Sequence, residues 1–123
     1  MLAAIAAALT ACGSNAVGHT PIVFGITGGN MRPYRVSIQP NGSVGIKGSD
    51  RTGRRQIPPA RVQQLRHEIQ QAHLSSRTCV GALPDMASQY IRVGGGTVIL
   101  RGSCEAVFER VWADLAKAVG LHT

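Results

Sequence analysis

The chain has 123 residues, a length typical of one domain. Its apolar content of 44% is enough for one hydrophobic core, which must be mostly aliphatic because the chain has only five aromatic residues. Thirteen Lys and Arg against six Asp and Glu give a net charge of +7, which favours anionic partners. The four His residues are scattered and no Cys-x-x-Cys pair occurs, so nothing in the sequence indicates a metal ion or another cofactor.

An apolar run from Leu2 to Leu9 leads into Leu9-Thr10-Ala11-Cys12. Its eight apolar residues are far too few to span a bilayer but match the short core of a signal peptide. This stretch resembles the lipobox of bacterial lipoproteins, in which the chain is cut before the cysteine and the thiol receives a diacylglyceryl group. The resemblance implies a signal peptide over residues 1–11, a lipid on Cys12 and a location on the extracytoplasmic face of a bacterial cell membrane. An apolar N-terminal helix that ends at a buried Cys12 is the alternative.

The three cysteines are odd in number for a secreted protein. If Cys12 carries a lipid, Cys79 and Cys104 remain as an even pair in an oxidising compartment. We therefore predict a disulfide between them, which would stabilise the fold by about 3.5 kcal/mol on the chain-entropy relation. Two free buried thiols are the alternative.

The lipidated tether is predicted over residues 12–21, which are mostly small and polar, and a single α+β domain over residues 22–123. The apolar, β-branched segment from Ile22 to Ile26 predicts a first strand. Thr27-Gly28-Gly29-Asn30 then ends that strand, because glycines and Asn favour a turn.

A hairpin and a helix follow the first strand. Polar and apolar residues alternate over 32–38 and again over 44–46, and Pro40-Asn41-Gly42 between them supplies turn chemistry. Pro58-Pro59 is suited to the first turn of a helix, where a missing N–H costs little. The helix is predicted to bury one stripe with helical spacing. The stripe contains Val62, Leu65, Ile69 and Ala72.

The same plan recurs in the second half of the chain. Residues 75–87 are predicted to be irregular, and residues 89–93 and 97–101 to form a second hairpin around Gly94-Gly95-Gly96. Ser103 is a candidate N-cap for a closing helix. The apolar face of this closing helix contains Phe108, Val111, Trp112, Leu115 and Val119. We therefore predict an α+β fold in which two hairpin-helix units form one antiparallel sheet, with both helices packed on one face.

The loop from Gly48 to Gln56 is basic and contains no apolar residue, so it is predicted to face solvent. Arg51, Arg54, Arg55 and Arg61 cluster in and just after it. Such a patch favours anionic lipid headgroups or an acidic envelope protein, and an ordinary solvated basic surface is the alternative. Nucleic acid also fits by charge, but we expect none as a partner of an exported chain with few aromatic residues.

Nothing in the sequence predicts an enzyme. Four of the six acidic residues fall on the predicted helices, where solvation is the expected role, and no Ser-His-Asp set has a recognisable local motif. Neither Gly28-Gly29 nor Gly94-Gly95-Gly96 has the sequence or the strand-to-helix context of a phosphate-binding loop. The expected role is therefore binding without catalysis.

The exposed face of the predicted sheet and the Gly28-Gly29 segment supply a second candidate surface. The order of Thr27-Gly28-Gly29, hairpin, Leu/Ile helix, Pro-containing link, second hairpin and closing helix resembles emfourin. The resemblance covers roughly residues 22–120 and rests on this layout. Emfourin-like proteins are small inhibitors of thermolysin-like metallopeptidases with a Gly-Gly segment after the first strand, so the resemblance implies an inhibitory role for Gly28 and Gly29. Inhibition of a secreted peptidase is thus the alternative to binding of an unknown ligand.

Overall fold

The computed structural model describes residues 20–48 and 50–122, which form a mixed α+β domain. Six strands and two helices follow one another in the order β1 (Ile22–Thr27), β2 (Tyr34–Ile38), β3 (Val44–Lys47), α1 (Pro59–Ala72), β4 (Arg77–Thr78), β5 (Ser88–Val93), β6 (Gly96–Arg101) and α2 (Ala106–Ala118). Neither of these helices is long and apolar enough to cross a membrane.

The first predicted strand lies at the centre of the sheet. The strand order is β3-β2-β1-β5-β6-β4, so β1 pairs antiparallel with β2 on one side and with β5 on the other. The two predicted hairpins, β2–β3 and β5–β6, are present and are joined through β1. This position explains the sequence of β1, because a strand with neighbours on both sides and little exposure on either face carries a continuous apolar run.

The sheet is mostly antiparallel, and β4 makes the exception. Arg77–Thr78 lies in the segment predicted to be irregular, yet it forms a short edge strand parallel to β6. Two residues are too few to show any alternation of polar and apolar side chains, so no sequence pattern marks this strand. The prediction of a wholly antiparallel sheet is therefore wrong at this edge.

One hydrophobic core contains residues from the sheet and from both helices. The ring of Phe24 on β1 contacts Trp112 on α2 edge to face, with the ring centres 5.7 Å apart. Ile69 of α1 borders a cleft together with Ile91 and Val93 of β5. Phe24 and Phe108 are aromatic, and the other most deeply buried side chains are aliphatic.

The start of α2 differs from the prediction. Glu105, rather than Ser103, is the N-cap residue, and it makes no side-chain cap hydrogen bond. The reason lies in Cys104, whose N–H donates to the Sγ of Cys79 at 3.1 Å and whose own sulfur is bonded to Cys79. The chain is held at Cys104, so the helix begins only after it.

Candidate functional site

The predicted disulfide between Cys79 and Cys104 is present, with the two Cα atoms 5.7 Å apart. Cys79 is buried, and Gly102 lies so close to it that a Cβ at this position would be 2.6 Å from the Cys79 Cβ. The bond fastens the segment before α2 to the link that follows β4. Cys12 and residues 1–11, to which the lipid and the signal peptide are assigned, lie outside the described residues.

The basic segment of residues 50–56, here called the arginine loop, runs along the outer edge of β3. The N–H of Val44 donates to the carbonyl of Arg55 at 2.9 Å, and Thr52 exchanges two backbone hydrogen bonds with His122, at 2.7 and 2.9 Å. The N–H of Arg54 donates to the carbonyl of Val119 at 2.7 Å. The loop was predicted to have nothing to bury, but its backbone is fixed both to the sheet edge and to the residues after α2.

The side chains of the arginine loop differ in exposure. Arg54 and Arg55 are exposed, whereas Arg51 is half-buried with its guanidinium carbon 4.6 Å from the centre of the Tyr34 ring. This cation–π contact positions one charge at the start of the loop. Arg51, Arg54 and Arg55 border one cleft of about 550 Å³ beside Val44 and Ile46.

The fourth arginine of the predicted patch lies elsewhere. Arg61 is on α1, where its Nη1 donates to Oε1 of Gln64 at 3.3 Å, and it does not border the cleft of the arginine loop. The acidic residue nearest to the other three in sequence is Asp50, which pairs with Arg32 at 3.7 Å with both side chains largely exposed. The fold thus brings three of the four predicted arginines to the border of one cleft.

Gly28 and Gly29 form an exposed turn after β1. Both have positive φ angles, 73° and 67°, which glycine adopts without strain. A Cβ on Gly29 would lie 2.4 Å from the N of Ala87, and the N–H of Asn30 donates to the carbonyl of Asp85 at 3.0 Å. The turn is therefore packed against the loop that precedes β5.

A small apolar cleft lies next to this glycine turn. It has a volume of about 280 Å³ and is bordered by Met31, Met86 and Leu100. Met31 and Met86 are 47% and 37% exposed, so this end of the sheet presents flexible apolar side chains to solvent.

The sheet face opposite Phe24 is here called the open face. It corresponds to the exposed sheet face predicted as a candidate surface, and the structure shows which residues it carries. The strand register brings Lys47, Arg35, Gly25, Tyr90 and Ile99 into one row across five strands. A shallow cleft of about 540 Å³ lies over this row, and no acidic residue borders it. The alternation within each hairpin indicates which residues point away from the core, but the row depends on β1 joining the hairpins, which no local pattern predicts.

Two arginines of the open face, Arg35 and Arg92, act on Tyr90 through their charge. Burial raises the pKa of Tyr90, and the charges of Arg35 and Arg92 partly offset that rise. The phenol therefore stays neutral at physiological pH, and the charge of the cleft comes from its cations. Arg92 pairs in register with Val23, one row along the open face from Tyr90.

A pair of carboxyl groups lies between the helices, Glu68 on α1 and Asp114 on α2. Burial raises the pKa of Glu68, and a hydrogen bond with Asp114 and its negative charge raise that pKa further. Arg61 and Arg110 oppose the rise to a smaller extent. Glu68 therefore keeps its proton to a higher pH than an ordinary glutamate does.

In the described part of the chain, no group of three or more His, Cys, Asp or Glu is placed to hold a metal ion. Comparisons of the chain with protein-family models, with curated protein sequences and with solved structures find no match.

Proposed function

We propose that this chain is a cell-envelope lipoprotein with a non-catalytic binding role, held at the bacterial membrane by a lipid on Cys12. The observation that carries the proposal is Leu9-Thr10-Ala11-Cys12 at the end of an apolar run. The bond between Cys79 and Cys104 supports it, because disulfides persist in oxidising compartments and this one leaves Cys12 as the remaining thiol.

The start of the domain is compatible with a short tether. Arg66, only 4% exposed, donates from Nη2 to the carbonyl of Thr20 at 2.6 Å and from Nη1 to its Oγ1 at 3.2 Å. Thr20 is thus fixed against α1. Seven residues lie between it and Cys12, so the eight steps of a fully extended tether would reach only about 27 Å.

The arginine loop is the surface that we propose meets anionic headgroups. Its Arg55 end lies beside Val44, which pairs with Ile38, and Ile38 pairs with Ile22 at the start of β1. This is the end of the sheet at which the tether enters. Each cation near an anionic membrane surface contributes about 1 kcal/mol, so the loop would orient the domain while the acyl chains supply most of the affinity.

The lipid anchor is tested by Cys12→Ala. The wild-type chain, expressed in a bacterium with an alkyne-tagged fatty acid, should become labelled and partition into detergent, and the variant should do neither. Cys79→Ser with Cys104→Ser is the matched control and should remain labelled. Lipid uptake by the Cys12→Ala chain would contradict the anchor.

The loop is tested separately on unlipidated residues 13–123 with phosphatidylglycerol vesicles. Replacing Arg51, Arg54 and Arg55 with Ser should remove most of the binding, by about fivefold per cation that reaches the surface. Binding by the parent should also weaken as salt shortens the Debye length. The control replaces Arg61, Arg110 and Lys117, the same number of charges on the helices, and should bind as the parent does. Equal binding by the loop variant and the parent at low salt would reduce the loop to a solubility feature.

A second candidate function is inhibition of a thermolysin-like metallopeptidase. The exposed turn at Gly28 and Gly29, beside the half-exposed Met31 and Met86, favours it as a contact surface. Titration of thermolysin with residues 13–123 should then abolish peptide hydrolysis near a one-to-one ratio. A Met31→Glu variant, which changes a 47% exposed side chain beside the turn, should weaken inhibition while the fold is kept. Full peptidase activity at a large excess of the domain would exclude this candidate.

We also propose that the fold is organised as two hairpin-helix units that share one helix-covered face. The order β2–β3–α1 and β5–β6–α2 supports this arrangement. Further support comes from contacts on one side of the sheet, where Phe24 meets Trp112 and its register partner Ile91 borders a cleft with Ile69. The opposite face is then left for a ligand.

A further inference from the structure

The open face combines positive charge and apolar surface in a fixed order. Lys47 and Arg35 occupy one end of the row, Gly25 lies in the middle, and Tyr90 and Ile99 occupy the other end. Neighbouring strands are about 4.8 Å apart, so the row is about 19 Å long. A ligand that fits it therefore carries negative charge and an apolar group within this distance.

Gly25, in the middle of the row, has no side chain, and the hydroxyl of Tyr90 lies close above it. A Cβ there would lie 2.1 Å from the carbonyl oxygen of Tyr34 and 3.1 Å from the hydroxyl of Tyr90, so no other residue fits without displacing backbone. Val23, on the same face, is only 3% exposed, whereas Ile99 at the edge of the cleft is 41% exposed. Among the residues of the row, Ile99 is thus the apolar side chain that is open to a ligand, and it lies beside Tyr90.

The cations of the open face are available to a ligand. Arg35, Lys47 and Arg92 are exposed, and in the described ranges none of them forms an ion pair. Guanidinium groups bind carboxylates through two parallel hydrogen bonds, which gives them orientation as well as affinity. The cleft therefore combines unused positive charge with the side chains of Tyr90 and Ile99.

We propose that the open face binds an acidic peptide segment of a partner protein. Carboxylates of the segment contact the three cations, and an apolar side chain between them packs in the cleft against Tyr90 and Ile99. A row about 19 Å long accommodates about six residues in extended conformation. The proposal adds a second binding surface to the arginine loop, and different variants test the two.

Other occupants fit the surface less well. A small molecule is normally enclosed over most of its surface, and this cleft is shallow. A bilayer would require several protruding apolar side chains, but among the residues of the row Ile99 is the one exposed apolar side chain. A second copy of the chain carries a net charge of +7 and would be repelled. Residues 13–19 contain no acidic residue and so lack the complementary charge.

The proposal is tested by nuclear magnetic resonance titration of the full chain, labelled with ¹⁵N and made by cell-free synthesis so that it carries no lipid. The probe is a seven-residue peptide of Asp and Glu with a central Phe, and a second peptide has Gly in place of the Phe. The Phe peptide should shift the amide signals around Arg35, Tyr90 and Ile99 and should bind several-fold more tightly than the Gly peptide. A peptide with Lys in place of every acidic residue should not bind.

Single variants separate the parts of the site. Arg35→Ser and Arg92→Ser should each weaken the Phe peptide by about fivefold, whereas Arg110→Ser on α2 should leave it unchanged. Tyr90→Ser should weaken the Phe peptide and leave the Gly peptide unchanged. Because Arg35 and Arg92 are exposed, their variants test the site even if Tyr90→Ser fails to fold.

Three results would overturn the proposal. The first is amide shifts confined to the arginine loop, and the second is equal affinity for the Phe and Gly peptides. The third is that Arg35 and Arg92 are needed for binding to phosphatidylglycerol vesicles and not for binding to the peptide. Replacing Arg51, Arg54 and Arg55 should not change peptide affinity. The peptide test of the open face is therefore distinct from the vesicle test of the arginine loop.

Discussion

The two edges of the sheet are closed in different ways. At the β3 edge, the arginine loop covers the strand through backbone hydrogen bonds to Val44 and to the residues after α2. At the β4 edge, the short strand is followed by Cys79, whose N–H donates to the carbonyl of Arg101 at 2.8 Å and whose sulfur is bonded to Cys104. One edge depends on many weak polar contacts, and the other on a covalent bond.

This difference shows where each kind of edge closure is needed. An uncovered edge presents free N–H and C=O groups that can pair with another chain. β4 has two residues and only one neighbour, so its own pairing supplies little stability, and the disulfide compensates for that. The β3 edge has a full antiparallel partner in β2, so a loop with exposed Arg54 and Arg55 is enough to cover it and to repel another basic chain.

The largest expected effect comes from removing the covalent closure. Cys79→Ala with Cys104→Ala should lower the free energy of unfolding by about 2–5 kcal/mol, because the bond joins residues 25 apart and restricts the unfolded chain. Urea denaturation of residues 13–123 measures the change, and reduction of the parent should reproduce it. Amide exchange should accelerate around β4 more than around β3. Equal acceleration at both edges would show that the bond stabilises the whole sheet uniformly.

The elements of the fold were predictable where the pattern was long. Each of the two helices and the two hairpins has several residues in one period, and the predicted segments agree with the observed ones to within a few residues. The central place of β1 was not predictable, since Ile22 to Ile26 shows that the strand is buried but not which strands flank it. β4 was not predicted because it has only two residues. Ser103 was predicted to be the N-cap because the constraint from Cys79 acts from a distant part of the chain and leaves no local sequence signal.

The candidate sites divide in the same way. The arginine loop was visible in the sequence because its charges are adjacent, and Arg61 lies on α1, away from the border of the loop's cleft. The row of Lys47, Arg35 and Tyr90 was not visible, because its members are distant in sequence and meet only through strand register. Charge that is local in sequence can be recognised there, whereas charge assembled by tertiary pairing requires the structure.

A glycine substitution should open the β3 edge with a smaller effect. Gly42 has a φ of 92°, and a Cβ there would lie 1.9 Å from the carbonyl oxygen of Ile57. Gly42→Ala should therefore break the hydrogen bond from the Ile57 N–H to the Gly42 carbonyl and lower stability by about 1–3 kcal/mol. Denaturation monitored by circular dichroism gives the change, and amide exchange should accelerate around Val44 but not around Cys79.

Gly45→Ala is the matched control for this edge. Gly45 is an exposed residue of β3, and nothing lies within 4 Å of the Cβ that would be added. The substitution should leave stability unchanged or raise it by a few tenths of a kcal/mol, since alanine has less conformational freedom in the unfolded chain. A loss of stability as large as that of Gly42→Ala would mean that β3 tolerates no added methyl group. The effect of Gly42→Ala could then not be assigned to the turn at Gly42.

The smallest expected effect concerns the two helices. The two halves of the molecule, each of which carries one edge of the sheet, also meet at these helices. Burial and the contact with Asp114 raise the pKa of Glu68, so between the ordinary and the raised pKa the folded chain binds a proton that the unfolded chain does not. Stability is then full below the ordinary glutamate pKa and is lost as the pH rises through the raised value. Glu68→Gln stays neutral and should gain up to about 1 kcal/mol at about pH 7 and nothing at about pH 4, as measured by thermal unfolding. Glu109→Gln, on α2 but away from this pair, should show no such pH dependence. An equal gain from Glu68→Gln at both pH values would mean that the helices meet without a carboxyl pair that binds a proton.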